Sequence, residues 1–112
     1  NSFCYYTAIR YNNKMAIQSY RDEGTRDIAE SVNSKAAQRT LPVHLHQPAR
    51  RRLAVLDAMT SLAELSLFPG WRLEQLRGDR VGQYSIRIND QNQICFEWNG
   101  MDVLDVEITD YH

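Results

Sequence analysis

"QYSIRINDQNQICFEWNGMDVLDVEITD", residues 83–110, decides the fold. Three runs alternate apolar and polar residues, and two short polar breaks separate them. Strand side chains point alternately to opposite faces, so a period of two marks a half-buried sheet. From Gln83 to Asn89, Tyr84, Ile86 and Ile88 share one face, and Ser85 and Arg87 the other. The second run sets Ile94, Phe96 and Trp98 against Gln93, Cys95 and Glu97. The third sets Leu104, Val106 and Ile108 against Val103, Asp105 and Glu107. "NDQN" makes the first turn. Asn99-Gly100 reads as a two-residue hairpin, because both residues tolerate positive φ. An antiparallel meander with one apolar face follows.

Working outward, Trp71 to Arg77 reads as a preceding strand, opened by Pro69-Gly70, and "RGDRVG" as a glycine-flanked loop. Before them the period changes. Leu45, Ala49, Leu53, Leu56 and Met59 recur at spacings of three and four, one face of an amphipathic helix. Pro48 fits its first turn, where a missing amide costs little, and Arg50, Arg51 and Arg52 fall largely off the apolar stripe. "SLAEL" is a second, short helical piece, and Ser34 to Val43 a loop closed by Pro42. "EGTRDIAESVN" reads as a helix with Thr25 as N-cap, and "AIQSY" before it as a short strand. The first fourteen residues, "NSFCYYTAIRYNNK", show no clean period and read as an extension before a domain starting at Met15. A strand from Phe3 to Ile9 is the competing reading. Helices first and sheet second make an α+β domain, and 112 residues support one core.

Composition narrows the function classes. No apolar run approaches the roughly 18 residues a membrane span needs, and no signal-peptide pattern opens the chain. Cys4 and Cys95 stand in unlike contexts, so a reduced, cytoplasmic protein is a simpler reading than a disulfide. The net charge of −1 argues against general affinity for nucleic acid, but the distribution is uneven. Residues 50–87 hold seven arginines against four acids, whereas 88–112 hold six acids and no lysine or arginine. Such asymmetry produces a local positive surface that the total conceals.

The helices claim the apolar sheet face, so a site belongs on the other one. That face carries Arg87 and Gln93, with Arg77 and Arg80 arriving from the adjoining loop and Asp110, Tyr111 and His112 at its edge. Guanidinium groups grip phosphate oxygens and stabilise charge that builds in a transition state. Histidine exchanges protons near neutral pH. The set suits a phosphodiester, with no metal or other cofactor where the nucleophile is the ribose 2′-hydroxyl. Each residue has a plainer reading as well: a solvated terminal histidine, a core-capping tyrosine, surface arginines. "RGD" at Arg77 to Asp79 is a chance tripeptide in such a protein. His44 and His46 with His112 make a weak metal signal that lacks cysteine or carboxylate ligands at useful spacing.

"PGWRLEQLRGDRVGQYSIRIND" and the final "DVEITDYH" resemble the HigB-type toxins of the RelE/ParE superfamily, as do "QSYRDEGTRDI" and "LAVLDAMTSLAEL" in layout. The resemblance runs from Met15 to His112. It implies a twisted antiparallel sheet packed on two helices and ribosome-dependent mRNA cleavage. It also implies silencing by a helix-turn-helix antitoxin of the HigA type. On motif position, His112 takes part in proton transfer while Tyr111 and Asp110 shape the site. Arg77, where the family commonly has lysine, binds or polarises phosphate. Arg80, Arg87, Gln91 and Gln93 then form the RNA- and phosphate-binding set. The family usually reads Trp-Arg-Ile where this chain has Asn92-Gln93-Ile94, so a phosphate-contacting charge is missing. A toxin fold that retains antitoxin binding and operator co-repression but has lost cleavage is the rival reading. Inhibition of DNA gyrase, as in ParE relatives, fits the Tyr-His ending less well.

Overall fold

The computed structural model describes residues 6–7 and 15–111. Three helices, α1 (Glu23–Ala29), α2 (Lys35–Thr40) and α3 (His46–Ala58), cover a six-stranded sheet. Its strands are β1 (Tyr6–Thr7), β2 (Ser19–Tyr20), β3 (Glu74–Gln75), β4 (Gln83–Arg87), β5 (Asn92–Trp98) and β6 (Val103–Asp110). The spatial order is β1-β2-β6-β5-β4-β3. The α+β class stands, with the meander β3 to β6 antiparallel as its alternation requires. The meander is not the whole sheet. β2 joins β6 in parallel through Tyr20 and Val106, and Ile17 bridges Val103 in the same sense. β1 pairs antiparallel with β2, so part of the leader is strand; its other residues, including Cys4, lie outside the described ones.

Several local expectations need correction. Residues 34–43 are not a plain loop. Ser34 caps α2 by accepting from the Ala37 amide at 3.0 Å, and its hydroxyl donates to Asp27 Oδ2 at 2.6 Å. One serine therefore starts α2 and ties it to α1, a double use that sequence spacing does not reveal. Thr25 is not the cap of α1. Asp22 is, accepting from the Thr25 amide at 2.7 Å. The Trp71–Arg77 strand shrinks to Glu74–Gln75, because Pro69–Trp71 forms a 3-10 turn. Asn99-Gly100 does not make a two-residue hairpin. Asn99 Oδ1 accepts from the amides of Met101 and Asp102, which holds a four-residue loop with Gly100 at φ +95°.

The alternation in β6 is also broken. Glu97 pairs with Leu104 and Cys95 with Glu107, so three steps on β6 face two on β5. The extra residue is Asp105, a β-bulge with φ +55° whose carboxylate and amide both meet the Ser19 hydroxyl. Val103, rather than Leu104, consequently takes the core position and is fully buried.

The core lies between α3 and the inner face of the sheet. Leu53 and Leu56 pack there with Ile86, Ile94, Phe96, Val106 and Ile108. Thr25, also buried, completes the far side of β6. Its hydroxyl accepts from the Ile108 amide at 3.1 Å and donates to Asp22 Oδ2 at 3.1 Å. β2 ends its pairing at Val106, so this threonine supplies the acceptor that a longer strand would have offered. Thr25→Val keeps the shape and orphans that buried amide, a loss of about 1–3 kcal/mol. Urea unfolding is the check, with Thr25→Ser as control. A valine variant within about 0.5 kcal/mol of the parent would contradict the assignment.

Candidate functional site

The register of the meander sets which side chains share its open face. Gln83, Ser85 and Arg87 on β4 stand opposite Glu97, Cys95 and Gln93 on β5. Glu107 and Thr109 continue those rows on β6. Ser85 and Cys95 are nonetheless only 1% exposed, so longer side chains roof this face. Arg80 is one of them: its Nε donates to Gln83 Oε1 at 3.0 Å and its Nη2 meets Glu107 Oε1 at 3.4 Å. Thr109 is another, accepting from Gln93 Nε2 at 3.4 Å and lying 3.9 Å from Cys95 Sγ. Burial pushes the Cys95 thiol up, more strongly than the Thr109 hydroxyl draws it down. A thiol held neutral is a poor nucleophile, in line with a strand residue.

At one end of this face a cleft of about 250 Å³ opens, lined by Arg72, Glu74, Arg87, Asp90 and Tyr111. Arg87 is half-buried and ion-paired with the exposed Asp90. Tyr111 is 40% exposed, and its amide donates to Gln91 O at 2.8 Å, fastening the strand end to the β4–β5 turn. Partial burial, then the nearby Glu74 carboxylate, raise the Tyr111 phenol above its ordinary range. It therefore stays protonated at neutral pH and able to donate a hydrogen bond.

Behind the lining residues, one arginine of the basic run on α3 ties the Trp71 turn to β4. Arg52, on α3, donates from Nε to Arg87 O at 2.8 Å and from Nη1 to Pro48 O at 2.9 Å. Its guanidinium also lies 4.8 Å from the centre of the Trp71 ring, a cation–π contact. Phe68 stacks on Trp71 with centroids 4.1 Å apart. The next residue, Arg72, adopts the left-handed region at φ 50°, ψ 63°. A non-glycine residue there costs on the order of 1 kcal/mol and persists where its surroundings fix it.

The expected site residues divide as follows. Arg87 and Tyr111 share the cleft. Arg77, exposed, lines a neighbouring groove with Glu74, Gln75, Leu76 and Val81, so Glu74 is common to both walls. Arg80 and Gln93 lie on the same open face, each engaged by a neighbour. Gln91 is exposed at the turn and contributes its carbonyl. Asp110 pairs in register with the buried Asn92, so strand alternation sets it opposite to Thr109 and Tyr111. His112 lies outside the described residues. Arg72 and Asp90 were missed by sequence reasoning. The signal available was "GWR", a glycine–aromatic turn leading straight into an arginine.

The histidine pair does not converge. His46 is buried with Nε2 on Leu41 O at 2.8 Å, while His44 is exposed. No group of three His, Cys, Asp or Glu side chains among the described residues is arranged to hold a metal. No helix among them is long and apolar enough to cross a membrane.

Comparison with known proteins finds two likenesses. A family model described as the RelE-like toxin of type II toxin–antitoxin system HigB matches residues 9–112. The Vibrio cholerae serotype O1 protein named Toxin HigB-1 is 30% identical over 91 residues, covering 81% of this chain and 83% of that one.

Proposed function

The chain belongs to the HigB-like family of RelE-like toxins of type II toxin–antitoxin systems, and from that premise we propose that it cleaves messenger RNA on the translating ribosome. A toxin of this type has an antitoxin partner. In this reading the partner is a helix-turn-helix protein of the HigA kind, the setting is the cytoplasm, and no metal takes part.

One observation carries the reading: Arg87 and the protonated Tyr111 line one cleft together with a second arginine, Arg72. In the reaction a ribose 2′-oxygen attacks the adjacent phosphorus and gives its proton to a base. The bond to the 5′-oxygen breaks as that oxygen takes a proton. The products are a 2′,3′-cyclic phosphate and a 5′-hydroxyl. His112 exchanges the proton, a task its side chain suits near neutral pH. Arg87, with Arg77 and Arg80, stabilises the charge gathering on the phosphoryl oxygens. Tyr111 donates a hydrogen bond into the same region, and Asp110, Gln91 and Gln93 complete the surroundings.

The test is to add the purified chain to ribosomes programmed with a defined mRNA and to map ends by primer extension. Cuts in codon register, absent with the same mRNA free of ribosomes, are expected. Intact mRNA on programmed ribosomes would overturn the reading.

A second reading rests on Gln93, an uncharged residue that spends its amide on Thr109. In it the chain binds antitoxin and operator as a non-cleaving toxin fold. A hydrogen bond to a charged group is worth about 1.5–3 kcal/mol, so Gln93→Arg is expected to raise single-turnover cleavage about tenfold or more. Toxicity that appears only in Gln93→Arg selects the second reading. No change in either assay removes position 93 from the phosphate contacts.

A further inference from the structure

We infer that Arg72 is a phosphate-binding residue of the cleft, supplying the cation that position 93 lacks and gripping the backbone of a single-stranded RNA. The inference rests on the proposed RNA substrate and adds a residue to its binding surface.

Arg72 lines the cleft with Arg87 and Tyr111. Its side chain is exposed, and among the described residues it makes no ion pair or side-chain hydrogen bond. Arg80 and Arg87 differ, being held by Glu107 and Asp90. An anion entering the cleft therefore meets Arg72 before it displaces any carboxylate.

The backbone beneath Arg72 is arranged in a way that surface charge alone does not require. The residue closes the Pro69–Trp71 turn with its amide on Pro69 O at 3.2 Å, in a left-handed conformation that glycine adopts without strain. The Phe68–Trp71 stack holds that turn from behind. Arg52 then fastens it to β4, since one guanidinium group covers Trp71 and also donates to the carbonyl of Arg87. The segments that carry the two cleft arginines are thus joined through Arg52, which holds the Trp71 turn against β4. Planar guanidinium groups favour such two-oxygen contacts.

The probe is a single-stranded RNA oligonucleotide carrying 2′-O-methyl groups, which the 2′-hydroxyl reaction cannot cleave. Its affinity for the full chain is measured across a salt series, alongside cleavage of mRNA on ribosomes. Arg72→Gln is expected to weaken binding about tenfold and to flatten the slope of log affinity against log salt by about 0.7, the share of one phosphate on a single strand. Arg72→Lys retains the slope. Gln93→Arg placed on Arg72→Gln restores it, which a merely structural role for Arg72 would not allow. A thermal melt of each variant separates loss of binding from loss of fold. If the parent cleaves and Arg72→Gln leaves affinity and slope unchanged, the inference fails while the proposed function stands. If the parent does not cleave yet shows the Arg72-dependent slope, the inference survives and the cleavage reading fails. A parent that neither cleaves nor binds the oligonucleotide overturns both.

Discussion

Alanine at His112 is expected to lower ribosome-dependent cleavage by roughly 10²- to 10⁴-fold, the usual contribution of a positioned acid or base, and to relieve growth arrest on expression without antitoxin. The reason lies in what else the cleft offers. Its walls carry arginines and carboxylates, and the Tyr111 phenol is pushed up by burial and Glu74. Cys95 is buried, with its thiol also raised. The phenol and the thiol are both moved away from neutrality, whereas a histidine exchanges protons near it. The loss should fall on the rate at saturating ribosomes and leave binding unchanged, because the interaction removed acts only in the transition state. Single-turnover cleavage across pH is the measurement. In the parent the rate should depend on a group titrating near neutrality, and in the variant that dependence should vanish. Arrest that survives His112→Ala with an unaltered pH profile would remove the residue from the chemistry.

The second large effect concerns stability. Gly24→Ala is expected to cost about 3 kcal/mol, the upper part of the range for overpacking. A methyl group there would lie 1.9 Å from Thr40 Oγ1 and 2.6 Å from the backbone oxygen of Ala36. Both atoms belong to α2, so the two short helices cannot keep their present separation. The hydroxyl of Thr40 can be cut away, but the Ala36 carbonyl cannot. Gly24→Ala combined with Thr40→Ala should therefore recover only part of the loss. Urea unfolding of the four proteins in the cycle measures this. Full recovery in the double variant, or a single variant as stable as the parent, would show that α2 yields easily. Cleavage per folded molecule should hardly change, since neither Gly24 nor Thr40 lines the cleft.

Those two expectations draw on different amounts of sequence information. Alternation in residues 83–98 made β4 and β5 legible, because one face of each is packed on helices and the other is not. α3 was legible for the same reason, with its apolar spacing intact from Leu45 to Met59. α2 was hidden. It buries only Ala37, so its pattern is too faint to register, and its capping serine answers to Asp27 in another element. The parallel join of β2 to β6 was hidden as well, since a two-residue strand carries no period. For the site, Arg87 and Tyr111 were legible from parity and motif. Arg72 and Asp90 were not, because their place in the cleft depends on how a turn folds and on which arginine a carboxylate meets. Arg52 lay in a basic run that reads as solvated charge. Its contacts with Trp71 and the Arg87 carbonyl exist only once α3 is docked on β4.

The bulge at Asp105 acts as a spacer in the numbering of the strand. It takes up one residue, yet the pairs on either side of it, Glu97 with Leu104 and Cys95 with Glu107, keep their faces. Relatives of different length can thus lose or gain this residue without turning Thr109 or Tyr111 over. A single-residue gap in an alignment here is neutral for the open face. The same gap two positions later would reverse every side chain from Ile108 onward. A change of length in β6 is therefore free at one position and costly beyond it, and the Ser19–Asp105 contact marks that position.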